Sequence, residues 1–191
     1  GISADPKADI IICKDKKDPL APGSIYISHK KSGGPEAFQQ YGGLTEVSGL
    51  EIYQHPEVQA FLKQTTEFIK GGMLKNPLMK KIKDEKLMQM SIFGPGYGQQ
   101  FSLQHVTLIG QGKPKLTVLD NKKDLYKLEF TDHMSLSGDL SHFTGGYLPT
   151  FTATYRAGRG FKYNDKQYTG ARVGIYPLKL IATRSGLVAL K

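Results

Sequence analysis

Two histidines and two aspartates lie within eleven residues, and they are the side chains of this sequence best suited to chemistry. The residues are Asp132, His133, Asp139 and His142. Histidine and carboxylate groups transfer protons, and together they can bind a divalent metal. Their spacing matches no established ligand motif, and the serine and glycine between them also suit a polar loop. A small nuclease using His133 and His142 is one alternative function. Our main interpretation assigns no catalytic residue, no metal and no cofactor.

The last quarter of the sequence concentrates positive charge and aromatic rings. Between Gly145 and Lys191 eight basic residues accompany one acid, Asp165, so this segment carries +7 of the chain's net charge of +9. Basic groups neutralise phosphates, and exposed aromatic faces stack on unpaired bases. The combination predicts a single-stranded nucleic acid as the partner, with DNA favoured over RNA.

A loop in this segment combines all the features that such a partner needs. Gly158 and Gly160 allow the backbone to approach a ligand closely, and arginine, lysine and aromatic side chains alternate around them. An ordinary hairpin with polar tips is the alternative. We predict nucleic-acid contacts from this loop, the strand after it and a lysine-rich segment before it: Arg156, Arg159, Phe161, Lys162, Tyr163, Tyr168, Arg172, Tyr176, Lys179, Lys113, Lys115, Lys122 and Lys123.

Two glycine-rich stretches resemble nucleotide-binding loops only superficially. In 94–98 a proline stands between the glycines, and no helix is predicted to follow. In 110–115 the spacing is wrong for a phosphate loop, no serine or threonine follows Lys113, and Pro114 lacks an N–H donor. Both are predicted to be loops, although Lys113 and Lys115 can still contact phosphates as simple charges.

The composition indicates a folded protein with a polyanionic partner. The chain has 191 residues, 39% of them hydrophobic, and 26 lysines and arginines against 17 acids. Cys13 is the only cysteine, so an intrachain disulfide and a cysteine zinc cluster are excluded. No apolar run is long enough to span a membrane. We therefore expect one domain over 1–191, no membrane association and a cytoplasmic location, in the host cell if the gene is phage-encoded.

Hydrophobic patterns predict a strand-rich chain around one clear helix. Apolar residues at helical spacing predict a helix over 56–70, beginning at Pro56 and capped by Gly71-Gly72. A second, shorter helix is expected from Asn76, which makes 56–86 a helical insertion. Strands are predicted at 10–14, 24–29, 46–54, 88–93, 101–109, 115–119 and 125–130, with a hairpin turn at 120–123.

Two further strands close the sequence. Residues 150–156 alternate cleanly, with Phe151 and Tyr155 on the face that is either core or a stacking surface. In 171–182 the alternation changes phase at Tyr176-Pro177, which indicates a bulge or a sheet corner.

These last strands resemble those of a known family. The glycine-led strand from Gly145 to Tyr155, the basic aromatic loop and the strand from Gly170 to Ala182 resemble the end of bacteriophage single-stranded DNA-binding proteins of the T7 type. The resemblance covers about 40 residues and implies an OB-fold. We accordingly predict a β-rich α+β protein built on an OB-like antiparallel barrel with a helical insertion.

The function implied by this resemblance is non-catalytic coating of single-stranded DNA during replication or recombination. Its further partners would be replication proteins or a second copy of the chain, and a viral origin is expected. Besides the small nuclease, a secreted or virion β-domain that docks an acidic protein remains as an alternative.

Overall fold

The protein is a strand-rich α+β structure, as the sequence predicts. The computed structural model describes residues 6–191. It contains three α-helices, which are α1 (Leu50–Tyr53), α2 (Pro56–Glu67) and α3 (Glu85–Phe93). Its strands are β1 (Ile10–Ile12), β2 (Ile25–Lys30), β3 (Gly42–Gly43), β4 (Ile69–Lys70), β5 (Met73–Leu74), β6 (Leu78–Lys81), β7 (Leu108–Gln111), β8 (Pro114–Asp120), β9 (Leu125–Phe130), β10 (His133–Leu136), β11 (Pro149–Thr154), β12 (Gly160–Tyr163), β13 (Lys166–Thr169), β14 (Arg172–Pro177) and β15 (Val188–Ala189).

The strands form two open sheets and three two-stranded hairpins. One sheet has four strands in the order β1-β2-β7-β10, and the other has five in the order β15-β6-β11-β14-β3. The hairpins are β4-β5, β8-β9 and β12-β13. Over residues 6–191 no sheet closes on itself, so the predicted OB-like barrel is wrong. The five-stranded sheet ends at β3 and β15, each of only two residues, instead of joining edge to edge.

The four-stranded sheet mixes pairing directions because a long crossover separates its middle strands. β1 and β2 pair antiparallel, whereas β2 and β7 pair parallel. Parallel neighbours need a long connection. That connection holds all three helices and four strands, from β3 to β6. β10 then pairs antiparallel to β7 and completes the sheet.

The predicted long helix is confirmed as α2, and its apolar stripe faces the core. Val58, Phe61 and Leu62 are fully buried, and the Phe61 ring stacks on Phe151 of β11 with 5.0 Å between centroids. The helix ends at Glu67, earlier than predicted. The glycines expected to cap it turn the β4-β5 hairpin instead, where Gly71 and Gly72 take φ values of +61° and +74°.

Three local predictions for short segments are wrong. Residues 78–81, predicted as helix, form β6 because they pair with β11 and β15. Residues 88–93, predicted as a strand, belong to α3, whose Asp84 carboxylate accepts a hydrogen bond from Leu87 N–H at 2.7 Å. Residues 46–54, also predicted as a strand, form a short 3-10 turn and α1.

Near the C-terminus the structure keeps the predicted strands and resolves the phase change. β11 and β14 pair antiparallel from Pro149↔Pro177 to Thr154↔Arg172. β14 ends at Pro177, and residues 178–180 form a 3-10 turn, so the chain leaves the sheet where the alternation changes. Within 6–191 we find no helix with the length and apolarity needed to cross a bilayer.

Candidate functional site

The register of the four-stranded sheet lines up a row of polar side chains that lie far apart in the sequence. Paired residues on neighbouring strands share one face of a sheet, as do residues two apart on a strand. Ser28 pairs with Ile109, and Lys30 pairs with Gln111. On β10, His133 pairs with Gln111, and Ser135 pairs with Ile109. We call this the polar row, and its members are Asp9, Ser28, Lys30, Gln111, His133 and Ser135.

One end of the row is exposed and combines a carboxylate with lysines. Asp9 directly precedes β1, and its Oδ2 accepts hydrogen bonds from His29 N–H at 2.7 Å and Ser28 Oγ at 3.4 Å. Both bonds fix the carboxylate beside β2 while its side chain stays exposed. Lys30, also exposed, lies two residues beyond Ser28 on the same strand face. We call Lys7, Asp9 and Lys30 the open end.

The surroundings of Lys7 favour the neutral form of its side chain. Burial and, to a smaller extent, the positive charge of Lys30 lower the pKa of its ammonium to about 8, and Asp9 opposes both effects. Its Nζ donates hydrogen bonds to the carbonyl oxygens of Tyr41 at 3.0 Å and Ser91 at 3.3 Å. A lysine with such a pKa can exchange a proton near physiological pH.

The segment after β2 holds the open end in place. Gln111 Nε2 donates hydrogen bonds to the carbonyl oxygens of Ser32 and Gly34. Further along, Tyr41 receives Lys7 on its carbonyl oxygen and donates its hydroxyl to Tyr147 O at 2.7 Å. The segment then enters the five-stranded sheet as β3. Residues 31–43 therefore connect the open end to the second sheet.

The other end of the row is buried and carries the histidines. His133 Nε2 lies 2.7 Å from Ser135 Oγ, which lies 3.3 Å from His142 Nε2. Ser135 and His142 have no exposed surface. The His142 ring meets Phe38 and Tyr41 edge-on, with centroids 5.1 and 5.7 Å away. We call His133, Ser135 and His142 the closed end.

Burial makes His142 a neutral structural side chain. Removal from water lowers the pKa of its imidazole to about 4, Asp139 opposes this effect and His133 adds to it. Its Nδ1 is buried and has no hydrogen-bond partner in the described part of the chain. A neutral, sealed imidazole cannot reach a substrate in this conformation.

The two aspartates predicted to work with these histidines both stabilise loops, and Asp139 also interacts with His142 and Ser135 of the closed end. Asp132 accepts hydrogen bonds from Gly33 N–H and Thr131 Oγ1, both at 2.9 Å. Asp139 accepts one from Ser141 N–H at 2.8 Å and so caps a 3-10 turn. Among residues 6–191 there is no group of three or more histidine, cysteine or acidic side chains placed to hold a metal ion.

The residues predicted to bind nucleic acid lie in separate places. Those of the hairpin β12-β13 mostly pack inward. Phe161 is 1% exposed and stacks on Tyr168 with 5.4 Å between centroids. Tyr163 packs against the core, and Lys162 forms ion pairs with Glu46 and Asp165. The prediction that a base stacks on Phe161 is therefore wrong, because the ring is part of the core.

The predicted lysines lie on another hairpin, and Lys179 lies apart from both hairpins. Lys115 belongs to β8, Lys113 precedes it, and Lys122 and Lys123 form the exposed turn between β8 and β9. Lys179 Nζ donates a hydrogen bond to Glu36 O and lies 4.8 Å above the Tyr147 ring.

The remaining predicted residues line a cavity on the five-stranded sheet. Arg156, Arg172 and Tyr176 surround it, and its volume is about 510 Å³. It adjoins a second cavity of about 410 Å³, whose lining includes Lys7 and Arg159. Gln40 and Arg172 line both cavities, so the arginines lie near Lys7 of the open end.

Sequence reasoning missed Lys7, Asp9, Lys30 and Gln40. A signal was present, because Lys7 and Asp9 alternate directly before the apolar strand 10–12, and Ser28 and Lys30 alternate at the end of the next strand. Polar residues that alternate at the end of an apolar strand lie on one face of the sheet, and such a face indicates a site that can bind a ligand.

Comparison with known proteins gave one relevant similarity. The chain is 28% identical over 192 aligned positions to the type II restriction enzyme CviJI of Paramecium bursaria Chlorella virus IL3A. The match covers 94% of this chain and 50% of the viral protein, so the chain spans about half the length of that relative. No family model matches, and no solved structure matches.

These findings correct the resemblance to single-stranded DNA-binding proteins of the T7 type. The protein that matches along nearly the whole chain is a restriction enzyme, and no single-strand-binding family is found. The sequence features behind the resemblance are real strands, but here they form the central strand β11 and its neighbour β14 in an open sheet.

Proposed function

We propose that this protein binds DNA and hydrolyses its phosphodiester bonds, with the open end of the polar row as the reaction centre. The relative's name describes an enzyme that acts on DNA, and it favours DNA as the partner and a viral origin for this chain. A preference for single strands has no support from the comparison. Non-catalytic coating of single strands is therefore not part of the proposed function.

One observation carries the location of the centre, which is the exposed Asp9 carboxylate fixed on the same sheet face as the exposed Lys30. Asp9 is fixed by two hydrogen bonds to β2, and the pKa of neighbouring Lys7 is about 8. Fixed charges at an exposed edge are the arrangement that stabilises a phosphoryl transition state. The closed end has chemically suitable groups but no access to solvent at Ser135 and His142.

The proposed reaction is attack of water on phosphorus with cleavage of one P–O ester bond. In its neutral form Lys7 accepts a proton from the attacking water, since its pKa makes that form accessible near pH 8. Lys30 remains charged and stabilises the negative charge that develops on the phosphoryl oxygens. The departing oxygen takes a proton from solvent.

Asp9 has the further chemistry of a cation ligand. Magnesium is often held by one or two carboxylates together with substrate phosphates. A single exposed carboxylate therefore fits a site that is completed by DNA, and a bound cation would neutralise phosphate charge.

A second location for the same activity is the closed end, which the sequence suggested through His133 and His142. The chain of contacts His133–Ser135–His142 favours it, because a histidine beside a serine hydroxyl is the arrangement that activates a nucleophile. Using it requires opening of the buried contacts with Phe38 and Tyr41.

The experiment compares DNA cleavage by the wild type and by Lys30→Met in buffers with Mg²⁺ or with EDTA. The substrate is a supercoiled plasmid, because one broken bond changes its mobility. We expect cleavage by the wild type in Mg²⁺ and a loss of about 10²–10⁴-fold in Lys30→Met.

Lys31→Met is the matched control, because Lys31 follows Lys30 and is equally exposed. Equal activity of Lys30→Met and wild type would remove the open end from the mechanism. Absence of both cleavage and DNA binding in the wild type would favour a domain that docks an acidic protein.

A further inference from the structure

The arginine cavity on the five-stranded sheet has the composition of an anion site. Its lining is Gln39, Gln40, Thr154, Tyr155, Arg156, Arg172, Tyr176, Leu180 and Arg184, which includes three arginines and no acid. Three neighbouring guanidinium groups repel each other, and a bound anion would relieve that repulsion. Arginine is also the side chain whose planar fork best matches phosphate oxygens.

The three arginines line the same cavity and all act on one group in it, the hydroxyl of Tyr176. Burial raises the pKa of this phenol, and the charges of Arg172, Arg184 and Arg156 each oppose that rise. All three charges are therefore within electrostatic reach of the same group. The Arg172 guanidinium lies 5.7 Å from the Tyr176 ring centroid.

Gln40 orients the central arginine. Its Oε1 accepts hydrogen bonds from Arg172 Nη2 at 2.7 Å and from Tyr176 Oη at 3.3 Å, and its Nε2 donates to Gly42 O at 3.0 Å. An amide that binds in this way fixes the guanidinium without neutralising it. A carboxylate at the same position would consume the charge in an ion pair, so a glutamine suits a site that needs Arg172 to remain available.

We propose that this cavity binds one backbone phosphate of the DNA, at a place separate from the bond that is hydrolysed. The inference rests on the proposed function for the identity of the ligand. Because Gln40 and Arg172 line both this cavity and the one containing Lys7, a strand seated here continues toward the open end. Tyr155 lies at the rim of the cavity and is 51% exposed. Its side chain would be the one nearest to the sugar and base of the bound nucleotide.

The test measures binding of a 20-base-pair duplex by fluorescence anisotropy in EDTA, at several salt concentrations. A lost phosphate contact makes the slope of log K against log salt shallower by about 0.9. We expect this change in Arg156→Ala and in Arg184→Ala, and no further change in the double variant, since both serve one phosphate. Lys63→Ala, an exposed charge on α2, is the control and should keep the wild-type slope.

Two outcomes would overturn the proposal. Unchanged slopes in the arginine variants would show that no phosphate binds here, and a double-variant change near 1.8 would show two separate contacts. A third outcome, binding of a deoxynucleoside monophosphate in the intact cavity without displacement of the duplex, would assign the cavity to a free nucleotide instead. Gln40→Glu provides a further check, because it should reproduce the arginine variants while keeping the fold. The binding assay in EDTA does not depend on cleavage. A failure of the hydrolysis proposal is therefore seen separately, in the plasmid assay.

Discussion

The two ends of the polar row carry similar chemical groups in opposite environments. At the open end the Asp9 carboxylate is exposed and lies on the same sheet face as Lys30, whereas at the closed end His142 and Ser135 are sealed under Phe38 and Tyr41. The same sheet face therefore holds one set of groups that can meet a substrate and one that stabilises the fold. Residue types alone suggested the histidines, while access to solvent favours Asp9 and Lys30.

The largest expected effect that separates the ends concerns stability at low pH. The pKa of His142 is about 4 in the folded protein, against 6.5 ordinarily. Between these values the unfolded chain binds more protons, so stability is full above pH 6.5 and falls as the pH decreases toward 4. From pH 7 to pH 4.5 the loss due to His142 should be about 2.5 kcal/mol.

Urea denaturation of the wild type and of His142→Gln at both pH values measures this loss. Asp139 interacts with His142, but its pKa lies below the ordinary value, so it stays ionised over this pH range. The other carboxylates titrate equally in both proteins, and the difference between the two pH dependences therefore isolates His142. Identical pH dependences would mean that His142 is accessible to protons, and the closed end would then be open.

The next effect concerns the pH dependence of cleavage, which should report Lys7. If neutral Lys7 is the base, the single-turnover rate should rise about tenfold per pH unit below 8 and level off above it. Lys7→Arg, which keeps the charge but cannot lose its proton, should be slow and lack this inflection. A wild-type inflection between pH 6 and 7 that vanishes in His133→Ala would assign the base to the closed end.

The smallest effect is expected for the half-exposed member of the closed end. His133→Ala removes the 2.7 Å contact to Ser135 Oγ but touches nothing at the open end. We expect its cleavage rate to lie within about threefold of wild type, far from the 10²–10⁴-fold loss typical of a missing acid–base group. A loss of that larger size, in a variant that melts like wild type, would revive the histidine centre.

The sequence predicted the elements that depend on interactions between nearby residues, and it missed those that depend on contacts between distant residues. The helix α2, the strands β1 and β2 and the hairpin β8-β9 depend on periodicity and on nearby turns, and all were predicted. The segment 88–93 was predicted as a strand, but in the structure it is a helix whose residues are all buried, so its sequence lacks the apolar–polar alternation of a helix with one exposed face. Local pattern cannot distinguish such a helix from a buried strand.

The site depends on contacts between distant parts of the chain, and this explains why it was missed. Ser28 meets Ile109 through a parallel pairing that no local signal specifies, and Gln40 meets Arg172 across 132 residues. Basic and aromatic composition did identify Arg156, Arg172 and Tyr176 as residues of interest. It could not show that Phe161 is buried, because its burial is created by stacking on Tyr168 and packing in the core.

A matched pair of aspartates tests the central claim most directly. Asp9 and Asp139 lie at opposite ends of the row, and each accepts a backbone N–H that an asparagine oxygen can also accept. We predict that Asp9→Asn loses plasmid cleavage by about 10²–10⁴-fold while Asp139→Asn stays within about threefold of wild type, with both variants folded. Full activity in Asp9→Asn together with loss in Asp139→Asn would contradict the account and move the reaction centre to the histidines.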